Sequence, residues 1–185
     1  MRTKNISRAI PVAALALALF LLPSCSTNTQ GDDPSPVYLT VDFTLLPPNK
    51  SVSSGTPLQI QTVTLKNVMK NPAATASSFL DVRIDDYVVV WKRVDGGTKA
   101  PATEVFPGNV LVPVGGTSTL SNYIFMSAST LLLAPLDQLL PFNGGIDRET
   151  GRSEIRCGGT VTFRGHTLSG QTAQGSGTFG MIFTP

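Results

Sequence analysis

The residues best equipped for chemistry lie in the last quarter of the chain. Asn143, Asp147 and Glu149 fall within the run Asn-Gly-Gly-Ile-Asp-Arg-Glu-Thr-Gly. Their side-chain oxygens are hard donors of the kind calcium takes, about six to eight at a time. The spacing does not follow an EF-hand loop, so the main expectation here is a polar turn held by its own side chains. Thr150 and Glu154 add hydrogen bonds to that turn, and a cation site is the weaker reading. His166 is the one histidine of the chain. A single histidine excludes the common zinc sets built on two or three, and beside Gly165 it is expected in an exposed turn. A hydrolase or metal enzyme would need Asp147, Glu149, Glu154 and His166 to converge in a pocket of the end loops. No Gly-x-Ser-x-Gly elbow, His-Glu-x-x-His pair or phosphate-binding loop is present. No cofactor is expected.

The two cysteines, Cys25 and Cys157, sit in very different surroundings. Arg2, Lys4 and Arg8 precede an apolar run from Ala9 to Leu22, interrupted at Pro11, with no acidic residue before Asp32. Such a run is too short to span a bilayer as a helix, which takes about 20 residues. It has the length and flanks of a secretory signal. The run ends at Leu22-Pro23-Ser24-Cys25, directly before a polar stretch.

These residues resemble the N-terminus of bacterial lipoproteins. Leu22 and Ser24 match the aliphatic and small positions of the lipobox, while Pro23 departs from the residue usual there. The resemblance implies cleavage after Ser24, a thioether from Cys25 to diacylglycerol, and acylation of the new amino group. Two or three chains on one cysteine hold a protein at a membrane essentially permanently. Ser26 follows the cysteine instead of the aspartate that commonly retains such proteins at the inner membrane. The resemblance therefore implies the cell envelope, with the outer membrane favoured. If Cys25 carries lipid, Cys157 has no disulfide partner within the chain. A small, buried, apolar side chain is expected there.

Removing residues 1–24 from 185 leaves 161, a comfortable length for one domain. Three of the 14 basic residues leave with the signal, so 11 face 12 acidic ones and the net charge becomes −1. The basic character belongs to the signal, and nucleic-acid binding has no support. Residues 25–36 read as a lipidated cysteine and a flexible polar tether. Residues 37–185 read as the folded domain.

Apolar residues alternate from Val37 to Leu45, the mark of a half-buried strand. Leu58 and Ile60 alternate on one parity and Val63 and Leu65 on the other. That slip at Gln61-Thr62 predicts a bulge or bend. Leu80 to Ile84 gives a third strand, ended by Asp85-Asp86, and Tyr87 to Val94 a separate central one. Asp95-Gly96-Gly97 marks a turn. Further strands are expected at 110–114, 117–126, 160–163 and 178–183. No long amphipathic helix appears, and residues 134–140 allow a single turn at most between Pro135 and Pro141. The expected fold is all-β: an immunoglobulin-like antiparallel sandwich of about seven to nine strands. A transmembrane barrel is disfavoured by the shortage of girdle aromatics.

Leu131 to Phe142 is the densest apolar stretch outside the signal. It is expected to cross one end of the sandwich and plug the core, with partner or membrane contact as the alternative. The segments 139–151, Phe163-Arg164-Gly165 and 179–183 resemble bacterial lipoproteins of uncharacterised function, and that resemblance carries no catalytic residues. The functional expectation is a membrane-anchored, non-catalytic module for binding or envelope assembly, whose partners are an envelope protein or glycan as well as the membrane. The enzyme described above is the alternative.

Overall fold

The computed structural model describes residues 35–185, so the signal, Cys25 and most of the tether lie outside the described residues. The folded unit already includes Ser35, which is buried. Eight strands follow among the described residues: β1 (Val37–Thr44), β2 (Lys50–Ser51), β3 (Leu58–Met69), β4 (Val82–Arg93), β5 (Glu104–Val112), β6 (Thr117–Met126), β7 (Ile155–Thr167) and β8 (Thr172–Thr184). They form two sheets, ordered β1-β3-β6 and β2-β8-β7-β4-β5. All pairings are antiparallel except that of β2 with β8. The sheets bury facing sides against each other, and the fold is a β-sandwich. No described helix is long and apolar enough to cross a membrane.

Inward-facing residues of both sheets fill the core, including Leu39, Ile60, Ile84, Phe125, Phe163 and Phe183. Trp91 stands edge-on to Phe179 and Phe183, with ring centroids 5.4 and 5.6 Å away. Such pairs add about 0.5–1.5 kcal/mol each beyond burial. Cys157 is a buried free thiol, as expected, and burial pushes its pKa up to about 12. It stays protonated and behaves as an apolar side chain.

β4 joins what the sequence reading divided into two strands. Asp85 does not end the strand; it is the extra residue of a bulge, because Ile84 pairs with Gly165 and Asp86 with Arg164. The bulge lets two consecutive acidic residues both meet β7. Asp85 lies 2.8 Å from His166 Nδ1, and Asp86 accepts a hydrogen bond from Arg164 Nε at 2.6 Å. β5 also begins earlier than expected. Pro107 lies inside it opposite Asp86, beside the register shift after Ile84, and β5 edges its sheet, where proline is tolerated in strands.

The strands share two poles. At the pole where β1 begins, the ends of β3, β5 and β7 meet the starts of β4, β6 and β8. Asn67 ties this entry pole together while fully buried. Its Nδ2 donates to the Leu80 and Val112 carbonyls at 2.9 and 3.2 Å. Its backbone bonds the 113–116 turn through Gly115 and Gly116. Replacing Asn67 by Leu removes its donors from one buried and one part-buried carbonyl, and Asn67→Leu should cost about 2–4 kcal/mol. A urea titration checks this, as a lower midpoint with unchanged slope.

At the far pole, residues 130–143 make three short 3-10 turns. Leu131, Leu136, Leu139 and Leu140 are buried and plug the core, as the sequence predicted. Leu132, Leu133 and Phe142 remain exposed. The plug and the exposed apolar surface are thus interleaved in one segment.

Candidate functional site

The far pole does not assemble the carboxylates into a shared site. Asp147 is buried because Arg93, at the end of β4, reaches it. Arg93 Nη2 donates to Asp147 Oδ2 at 2.8 Å, while Nε and Nη2 grip Asp95 at 2.7 and 2.9 Å. Thr150 donates to the same Asp147 oxygen through both N–H and Oγ1. Burial works to raise the pKa of Asp147, but the Arg93 and Thr150 hydrogen bonds outweigh it and lower the value. Glu149 accepts from Thr98 Oγ1 and from the Thr98 and Lys99 amides, which lowers its pKa too. The loop after β4 is thereby bolted to the 143–151 turn. Asn143 Nδ2 donates to the Asp137 carbonyl, and Glu154 pairs with Arg156.

His166 lies in β7, not in a turn, and faces Asp85. It stands nine residues along β7 from Cys157, the partner of Arg93. At ~3.3 Å per residue that is roughly 30 Å from the Asp147 cluster. Among the described residues no group of three His, Cys, Asp or Glu side chains is placed to hold a metal ion.

A different site emerges on the flank of the sandwich, between the edge strands β5 and β6. Inward positions are Leu58, Ile60, Val63 and Leu65 on β3, so the change of parity predicted at Gln61-Thr62 is present. β6 changes parity at the facing position: Leu120 is inward before Asn122 and Phe125 after it. Asn122 has φ of 55°, a left-handed conformation that asparagine tolerates better than most residues. The matched kink lies beside Tyr123, whose ring packs on Tyr87 of β4.

The result is an open cleft of about 300 Å³, lined by Tyr87, Phe106, Pro107, Ser121, Asn122, Tyr123 and Ile124. Its floor is Tyr87, stacked between Phe106 and Phe163 with both centroids 5.2 Å away. Tyr123 is tilted against Tyr87 at 5.3 Å. The Tyr87 hydroxyl donates to the Ile124 carbonyl at 2.7 Å. Burial, with help from Tyr123 and Glu104, pushes its pKa above the ordinary tyrosine value, so it remains a neutral donor. Glu104 accepts from the Ser127 amide at 3.1 Å. Side chains from β4 and β5 thus already occupy polar backbone groups along β6. No ionisable side chain other than tyrosine lines the cleft.

The sequence reading did not single out this cleft. Its one signal was the split parity of residues 120–126, which marked a distortion without revealing what faced it. Comparison with known proteins finds no matching family model, no matching curated protein and no matching solved structure.

Proposed function

We propose that this chain is a lipid-anchored binding module of the bacterial envelope whose flank cleft takes a neutral saccharide. The anchoring half rests on Leu22-Pro23-Ser24-Cys25 and the basic and apolar residues before it. The binding half is carried by the cleft, an aromatic floor without a charged lining. Binding a charged ligand there would remove its hydration without offering a counter-charge. A sugar ring offers an apolar C–H face for the partly exposed rings of Phe106 and Tyr123, with Tyr87 as their backing, and hydroxyls for Asn122 and Ser121. An added peptide strand fits less well, because β-augmentation needs unpaired edge groups. The Ile124 carbonyl and Ser127 amide are already taken.

Confinement by lipid raises the effective concentration of the domain for any glycan near the membrane. Binding needs no catalytic group, and the far-pole carboxylates serve as loop bolts in this account. Calorimetric titration of the detergent-solubilised protein with maltose, cellobiose and N,N′-diacetylchitobiose tests it. Saturable binding of at least one is expected, weakened about tenfold by Tyr123→Ala, for an aromatic contact contributing up to about 1.5 kcal/mol. If none of the three sugars binds, or if Tyr123→Ala leaves the affinity unchanged, the saccharide reading fails.

A further inference from the structure

We infer that the entry pole of the sandwich docks on the bilayer surface, with Phe79 and Leu168 entering the boundary between headgroups and acyl chains. The inference rests on the anchoring reading and goes beyond it, because a lipid on Cys25 fixes no orientation by itself.

Three loops build this pole: residues 70–81, 113–116 and 168–171. None has an acidic residue before Asp81, whose carboxylate accepts the Val114 amide at 2.8 Å. Phe79 is 67% exposed and Leu168 50%. Both are held in place. Phe79 sits in a 3-10 turn, its own amide donates to Ser77 Oγ, and its carbonyl accepts the Ser169 amide at 3.0 Å. The Leu168 amide donates to the Asp81 carbonyl at 2.9 Å. An apolar pair on a braced backbone suits an interfacial contact; of the nearby acids, Asp81 accepts the Val114 amide and Asp85 faces His166.

Chain length selects this pole over the other. The far pole also exposes apolar side chains, Leu132, Leu133 and Phe142, with Arg148, Glu149 and Arg152 exposed in the adjoining loop, so exposure and charge alone do not decide between the poles. About ten residues separate Cys25 from Ser35. Fully extended they reach at most about 35 Å. The 13-residue strand β7 runs from pole to pole, about 40 Å at the rise of a strand. A chain held at Cys25 therefore reaches the lipid with slack when the entry pole docks and only near full extension when the far pole does, and the lost chain entropy selects the entry pole.

Spin labels in the acylated mature protein test this. Cys25 is blocked by lipid and Cys157 is buried, so Ser169→Cys and Ser153→Cys each create a single reactive thiol, one per pole. The protein is reconstituted in vesicles of phosphatidylethanolamine and phosphatidylglycerol. Collision rates of each nitroxide with oxygen and with a water-soluble nickel chelate are then compared. Docking predicts an oxygen-to-nickel ratio at residue 169 about threefold or more above that at 153. Phe79→Ser with Leu168→Ser, both surface changes, should return it to the value at 153, with circular dichroism verifying the fold. Equal ratios at both poles in protein that floats with the vesicles would overturn docking and leave anchoring intact. Protein that does not float would overturn both.

Discussion

Arg93→Met should destabilise the domain by about 3–5 kcal/mol, because it strands two buried carboxylates that share one cation. The Asp95 and Asp147 side chains have almost no solvent access, and both lean on the same guanidinium. Arg93→Lys should recover only part of the loss, since an ammonium cannot grip Asp95 with two nitrogens and still reach Asp147. Adding Asp95→Asn and Asp147→Asn to Arg93→Met should restore much of the stability, which separates stranded charge from lost packing. Chemical denaturation of the four proteins provides the comparison.

The same cluster sets the acid limit of the fold. Burial alone would raise the pKa of Asp95, but hydrogen bonds from Arg93 and from the Arg156 and Gly97 amides bring it from 3.8 down to about 2. A carboxylate with a depressed folded-state pKa stabilises fully above its unfolded value, and that contribution disappears as pH falls toward the folded value. Stability should therefore decline from about pH 4.5 to pH 2, with Asp95 contributing about 2 kcal/mol of the loss. Arg93→Met should flatten that slope.

The second large effect is expected at Gly165. A methyl group there would drive into the Arg83 carbonyl, a backbone atom with no freedom to move aside. The approach is close because the Asp85 bulge brings β4 toward β7 at Ile84. Gly165→Ala should cost about 3 kcal/mol, at the top of the range for overpacking. It should also loosen the Asp85–His166 and Asp86–Arg164 pairs, which depend on the bulge. Gly180→Ala is the control: it lies in β8, where nothing approaches the added atom within 4 Å. It should change stability by less than about 0.5 kcal/mol. Melting temperatures of the two variants should diverge accordingly.

The sequence made the class of fold legible because period-two alternation is a local signal. Val37 to Thr44 could be read directly, and so could the parity change at Gln61-Thr62. What stayed hidden depends on partners far away in the chain. Asp85-Asp86 looked like a strand end because the β7 residues that pair with both carboxylates, His166 and Arg164, lie about 80 positions later. β5 was read only from Val110 onward because nothing local marks 104–109 as an edge strand. The Asp147 turn looked like a candidate cation site because its cation, Arg93, lies 54 residues away. The cleft was hardest to foresee, since two kinked strands and an aromatic from a third must meet before it exists. Local patterning reports which face of an element is buried, and a site on the seam between two sheets belongs to neither face.

The central claim, that this sandwich works while chemically fastened to a membrane, is tested most directly by mass spectrometry of the N-terminal peptide from membrane-fraction protein. The account predicts a peptide beginning at Cys25 and heavier by a diacylglyceryl group and an amide-linked acyl chain, with membrane association lost in Cys25→Ala. An unmodified Cys25 within an intact N-terminus starting at Met1 would contradict it.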